Sequence, residues 1–386
     1  MQADLTARRC QTRLYLDPMH ITLSIADYGH HPAAWRVSGL ATSPQGMAQY
    51  AEVVACAQAG ALDCVLFTRP AGANGARNDL APDTTPLIGS LIPGTSGIGL
   101  GTTVRVAYTE PFHTARALAV LDGLSAGRTA LRIDLRHSAG GDPAFAHARP
   151  LSADEHYARA AEYVEILTKL WDSWEDDVII ADKASGIFAD STRIHPIHHQ
   201  GAWFSVRGPL TAVRPIQGHP VLVFDDASPA GLQLAARFAD LFIATEDSPQ
   251  AAQQLRAELS MLAQRAGRAA DSVRVLATVS FVLADSDGAA AARARHLDEL
   301  APAGAALPGY RFVGTAEGLA ATLDAWHAHG VCDGFDLAPA VLPDDVERFV
   351  NDVVPKLRRR TPAVAATLRE RLALARPSNR FSEIRS

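Results

Sequence analysis

Several features that would announce a function are missing from these 386 residues. The only cysteines are Cys10, Cys56, Cys64 and Cys332, scattered and without a CxxC pair. That spacing excludes a disulfide framework and a cysteine metal site, and fits the reduced thiols of a cytoplasmic protein. No apolar run approaches the roughly 18 residues of a membrane span, and the opening MQADLTARRCQTRLYLDP holds no stretch of signal-peptide length. Charge of one sign is not in large excess. The 36 Lys and Arg against 42 Asp and Glu leave −6, so nothing electrostatic points to nucleic acid or an anionic membrane. There is also no GxGxxG after the first strand, no P-loop, no Ser-His-Asp or paired-carboxylate arrangement, no repeat and no low-complexity linker.

What is present is alternation. Short apolar strands are predicted at 21–25, 62–67, 98–106, 129–135, 221–224, 241–244, 273–283 and 334–337, with helical spacing between them. Pro111 suits a first helical turn, and Asp154 and Glu155 open the longest helix, where the helix dipole favours acids. Eight strands alternating with helices predict an α/β fold, a (β/α)8 TIM barrel, as one domain over residues 18–375 with flexible ends at 1–17 and 376–386. Two stretches interrupt the pattern. Residues 175–219 are rich in His and Pro and are expected as a surface excursion. Residues 284–315 are Ala-rich and expected to be helical in their first half.

Specific motifs then emerge. Gly29-His30-His31-Pro32-Ala33-Ala34-Trp35-Arg36 follows the first strand, and Tyr108-Thr109-Glu110-Pro111-Phe112-His113 the third. Leu121-Asp122-Gly123-Leu124-Ser125-Ala126-Gly127-Arg128 precedes the fourth. The 175–219 region holds His195-Pro196-Ile197-His198-His199 and Phe204-Ser205-Val206-Arg207-Gly208-Pro209-Leu210. Together these resemble the bacterial-luciferase-like flavin monooxygenases, in the nitrilotriacetate, pristinamycin and dibenzothiophene-sulfone branch, over about residues 20–375. The resemblance implies a two-component enzyme. A partner flavin reductase delivers reduced FMN, which activates O2 to oxygenate a small organic substrate at the C-terminal ends of the strands.

The same comparison marks departures. Where the family has an acid after the second strand, this chain has Arg69. Arg105 takes a hydroxyl position on the third strand, and Arg132 stands where the family's fourth-strand Asn meets the flavin. The segment after the fifth strand reads Phe224-Asp225-Asp226-Ala227-Ser228 instead of Gln-Ala-Gly-Ala-Ser, and Ala153 replaces a His. Thr103, Tyr157 and Ser228 are kept, the last two toward the phosphate. The cofactor set implied is therefore Thr103, Tyr157, Ser228, Arg69, Arg132 and Arg136.

Strand alternation puts Arg132, Asp134 and Arg136 on one face. The resemblance, which sets the flavin-contacting Asn at the Arg132 position, implies that this face is the barrel interior, where the guanidiniums must find carboxylates such as Asp134, Asp225 or Asp226, or an anionic ligand. His30, His31 and Trp35 are the candidate catalytic side chains, against the plainer reading that His31-Pro32 shapes a turn. The dense His195, His198 and His199 lack further ligands at matching spacing, so no metal is expected. Two functions stay open. One is an FMNH2-dependent monooxygenase acting on a small organic substrate, as a homo-oligomer or paired with a homologue. The other is a flavin-free paralogue whose old ring pocket is filled by ion pairs or holds another anion.

Overall fold

The computed structural model describes residues 18–40, 47–68, 82–136, 151–304, 306–358 and 365–383. Eight parallel strands close on themselves: β1 (His20–Ile25), β2 (Cys64–Phe67), β3 (Gly99–Arg105), β4 (Thr129–Asp134), β5 (Val221–Phe224), β6 (Leu241–Ala244), β7 (Arg274–Leu283) and β8 (Gly334–Pro339). Their order is β6-β5-β4-β3-β2-β1-β8-β7, and β6 pairs with β7 to complete the barrel. The helices outside it are α1 (Met47–Ala59), α2 (Thr84–Leu91), α3 (Pro111–Leu124), α4 (Ala153–Asp172), α5 (Pro229–Phe238), α6 (Pro249–Arg265), α7 (Asp287–Leu300), α8 (Ala316–Ala328) and α9 (Asp344–Arg348). The fold is a (β/α)8 TIM barrel, as the alternation predicts. Among the described residues no helix is long and apolar enough to cross a membrane.

Local chemistry sets the helix starts. Ser152 and Glu155 form a reciprocal capping box at α4, satisfying amides that the first turn leaves unpaired. Ser228 and Ser248 cap α5 and α6, each followed by a proline whose missing N–H costs the helix nothing at that place.

The side chains divide by strand parity. Leu131, Ile133 and Phe224 point outward into a core with Tyr163, Leu167 and Trp171 of α4. Inward-pointing Leu66, Ala130, Val221, Val223, Leu241, Ile243 and Leu276 fill the lower lumen with Leu368 and Leu372. Gly101 lines the same level, where a Cβ would come within 2.4 Å of the Leu66 side chain. The helix α10 (Leu368–Arg371) thus plugs the N-terminal end of the barrel. Arg369 pairs with Asp240 at 2.6 and 2.9 Å, and Arg371 with Asp63 at 2.8 Å. The C-terminal ends of the strands form the opposite face.

Three features differ from the sequence expectations. A ninth strand, Tyr310–Gly314, lies within the 284–315 stretch and pairs parallel to Val279–Leu283. The reason is geometric: four-residue β6 covers only Arg274–Ala277, which leaves the upper half of β7 an open edge. The 175–219 stretch carries two antiparallel hairpins, one exposed (residues 179–189) and one tied to α4 through His199 and Glu162, but its end is internal, with Gln217 bonded to buried Asp122 at 2.6 Å. Residues 376–383, expected as a flexible end, are held by Arg376–Asp176 and Arg380–Asp172 bonds and by Phe381 stacked on His195.

Replacing Arg369 by Ala strands the buried Asp240 carboxylate and is expected to cost about 3–5 kcal/mol in chemical denaturation. Arg376→Ala, at an exposed pair, is expected to cost under about 1 kcal/mol. Equal losses from the two would show that α10 is not a buried plug.

Candidate active site

Above the apolar layer the lumen becomes polar. On β1, Thr22 and Ser24 donate from their hydroxyls to the Asp336 carboxylate of β8 at 2.6 and 2.7 Å. Burial pushes the Asp336 carboxyl above the usual carboxylate range, against the pull of those two hydroxyls and of Arg132. Arg132 reaches in from β4, paired in register with Thr103 of β3 and Val223 of β5. Its guanidinium donates to Asp225, the first residue after β5, and its side chain is 15% exposed. Burial works to lower its pKa, and the Asp225 carboxylate outweighs that and holds the charge firmly in place.

Arg136 lies elsewhere. β4 ends at Asp134, so alternation no longer governs the next residues, and Arg136 folds back to grip Asp134 with two nitrogens at 2.8 Å. Its side chain is 44% exposed, at the rim rather than inside the lumen as the shared-face expectation had it. Arg105 approaches the same carboxylate at 3.5 Å. Burial alone would raise Asp134, but Arg136 and Arg105 hold it below its ordinary value.

The two adjacent histidines separate. His30 bends over the mouth and its Nε2 donates to the Ser24 carbonyl at 2.9 Å, which leaves Nδ1 as the acceptor nitrogen. Burial, with Arg132 adding to it, lowers the His30 pKa to about 4 despite the bond to Ser24, so the ring is neutral at ordinary pH. His31 instead turns toward α7, meeting Asp298 at 3.2 Å and accepting from the Ala33 amide. Trp35 sits 51% exposed on the short helix Ala34–Val37. Neither His31 nor Trp35 joins the lumen group. Thr103 faces it, but its hydroxyl donates to the Phe67 carbonyl at 2.6 Å. Arg69 lies outside the described residues.

A second cluster stands at the start of α5. The Tyr157 hydroxyl, from the first turns of α4, donates to Asp226 at 2.6 Å and lies 2.9 Å from the Ser228 hydroxyl. The Ser228 amide donates to the other Asp226 oxygen at 2.9 Å, and the Gly231 amide to Ser228 Oγ at 3.1 Å. These donors, with the helix start, form an anion cradle. Two histidines of the 175–219 stretch are held in ion pairs: His195 meets Glu175 at 2.7 Å, and His199 joins Glu162 to Lys169.

Three residues that the sequence reasoning passed over matter here. Asp336 was legible in principle, since Gly334, Asp336 and Ala338 alternate on one strand face. Ser24, which ties His30 to β1, had no signal apart from its neighbours. His156 is buried and donates to the Leu135 carbonyl at 2.6 Å, which fixes α4 on the end of β4. It lies three residues from Ala153, where the resembling family has its histidine.

Fold and site together define a TIM-barrel enzyme working at the C-terminal ends of its strands, with a charged lumen beside an anion cradle. The chain belongs to the luciferase-like monooxygenase family, whose model matches residues 30–349, and falls in the monooxygenase class of oxidoreductases. It is 29% identical to N-acetyl-S-(2-succino)cysteine monooxygenase of Bacillus subtilis (strain 168), over 93% of this chain and 97% of that one. It is likewise 29% identical to nitrilotriacetate monooxygenase component A of Aminobacter aminovorans, over 91% and 95%. The crystal structure of DmoA from Hyphomicrobium sulfonivorans superposes with a TM-score of 0.80 at 25% identity, covering 92% of each chain.

The His30 ring supplies a test of the lumen's electrostatics. Its folded pKa lies below the ordinary 6.5, so its contribution to stability is present above that value and is lost as pH falls toward 4. The full shift corresponds to about 3 kcal/mol, reduced to about 1–2 kcal/mol by solvent at the mouth. His30→Asn, which keeps a donor for Ser24, is expected to flatten the unfolding free energy across that window by this amount. Parallel pH profiles for the two proteins would contradict the assignment.

Proposed function

We propose that this protein is the oxygenating member of a two-component system in the cytoplasm, oxidising a small organic substrate with O2 and reduced FMN from a separate flavin reductase. The single observation that carries the reading is the anion cradle of Tyr157, Ser228 and the start of α5, set beside a polar lumen in a barrel of this family. The donor set fits a phosphate. Each member is a hydroxyl or an amide, and the missing Cβ of Gly231 lets the Asp226 carboxylate lie against the helix start, which shows that an anion is accommodated there. Names of relatives support the rest: several are monooxygenases of small molecules, and one is called component A. The free thiols Cys56, Cys64 and Cys332 suit a reducing compartment.

In this reading Tyr157, Ser228 and the first amides of α5 hold the phosphate, while Thr103 and Arg132 face the ring side. Reduced FMN supplies the electrons that activate O2. The chain's own residues then position and protect. The α10 plug keeps water from entering the lumen from below, and neutral His30 offers Nδ1 as a proton acceptor at the mouth. Arg105 and Arg136 at the rim favour a substrate carrying a carboxylate, a group found in nitrilotriacetate and N-acetyl-S-(2-succino)cysteine. One observation favours a second reading, a flavin-free paralogue: the Arg132–Asp225 pair spans β4 and β5 where the resembling family places its ring.

Oxygen uptake and product formation with a flavin reductase, NADH, FMN and a panel of small carboxylic acids test the first reading. With the Asp226 carboxylate removed by Asp226→Ala, so that the donors are free for the phosphate, adding Tyr157→Phe or Ser228→Ala is expected to weaken FMN binding about 5- to 10-fold, near 1 kcal/mol for one lost hydrogen bond. Absence of product from the whole panel, with FMN affinity indifferent to both substitutions, would favour the flavin-free barrel.

A further inference from the structure

The anion cradle is already filled by the chain itself. Asp226 places one carboxylate oxygen 2.6 Å from the Tyr157 hydroxyl and the other 2.9 Å from the Ser228 amide. It lies so close to the helix start that a Cβ on Gly231 would come within 2.6 Å of Asp226 Cγ and 2.4 Å of its carbonyl oxygen. Beside it, Ser228 Oγ can only donate to the Tyr157 oxygen, because the single Tyr157 proton is committed to Asp226. Among the described residues, both side-chain donors of the cradle, Tyr157 and Ser228, therefore feed the carboxylate, directly or through one relay.

We infer that Asp226 is an intramolecular competitor for the phosphate of the flavin, a deepening that rests on the monooxygenase reading above. A carboxylate and a phosphate cannot share these donors: the two anions repel at contact distance, and the donors are too few for both. Phosphate enters only when Asp226 leaves, and Asp226, tethered two residues before Ser228, is always at hand to return. The consequence is weak, rapidly reversible flavin binding. That suits a protein that must take FMNH2 from a reductase and give oxidised FMN back, and it contrasts with a barrel that keeps its cofactor.

The test is titration of the full-length protein with FMN, riboflavin and inorganic phosphate, followed by flavin fluorescence and calorimetry. Wild type is compared with Asp226→Ala and with the near-isosteric Asp226→Asn, which preserves packing if the smaller side chain does not. The expected result is an FMN affinity at least about 10-fold tighter in Asp226→Ala, a smaller gain in Asp226→Asn, and phosphate binding that follows the same order. Riboflavin, which lacks the phosphate, should bind all three proteins equally. FMN affinity unchanged in both variants overturns the competitor role. So does an equal gain for riboflavin, which would mean that Asp226 acts on the ring space. Product formation in the reductase-coupled assay is scored separately. Its persistence beside an unchanged affinity removes the competitor alone, and its absence beside a gain in affinity removes the monooxygenase reading alone.

Discussion

A guanidinium inside a protein barrel must have a carboxylate, and the arrangement of this site follows from that need. Arg132 projects from β4 into a lumen whose floor is apolar, and leaving it unpaired there would cost several kcal/mol. Asp225 meets it across the β4–β5 gap. With that pair in place, burial keeps His30 neutral with Arg132 adding to it, and Arg132 partly offsets the burial that drives the Asp336 carboxyl toward its neutral form. The remaining rim charges, Arg105 and Arg136, gather on Asp134 one step above. The lumen is thus ordered by charge pairing from the strand ends outward.

How much of this could be read beforehand depended on whether a residue lay inside a regular element. Within β4 the period of two holds, so Arg132 and Asp134 share a face, and the family resemblance at Arg132 marks that face as the inward one. Arg136 escaped because the strand stops at Asp134. Asp225 and Asp226 were both visible as acids near the mouth, yet β5 ends at Phe224, so nothing in the sequence says that one turns to Arg132 and its neighbour to Tyr157. The same limit separates His30 from His31: adjacent in sequence, they diverge at a turn, one toward the lumen and one toward α7. The ninth strand was hidden for a different reason. Tyr310–Gly314 is short and half exposed, and its existence depends on a gap left by β6, a tertiary fact with no local signature.

The barrel of the family carries here a capping serine on α5, a tyrosine on α4 and two acids between β5 and α5. Two consecutive acids after β5 do different work. One neutralises a substituted arginine, and the other occupies an anion cradle. Both are satisfied locally, Asp225 by the Arg132 guanidinium and Asp226 by the Tyr157 hydroxyl and the Ser228 amide, so the fold is undisturbed. The scaffold is therefore a better guide to the class of chemistry than to ligand affinity.

The central claim is that Arg132 and Asp225 act as one unit, and a double-mutant cycle on unfolding free energy measures it directly. Arg132→Asn and Asp225→Ala are made singly and together at neutral pH. The account predicts a coupling of about 1–3 kcal/mol, with the double variant losing clearly less than the sum of the single losses. Losses that add to within about 0.5 kcal/mol would show that the two residues do not depend on each other, and the charge-paired lumen would have to be abandoned.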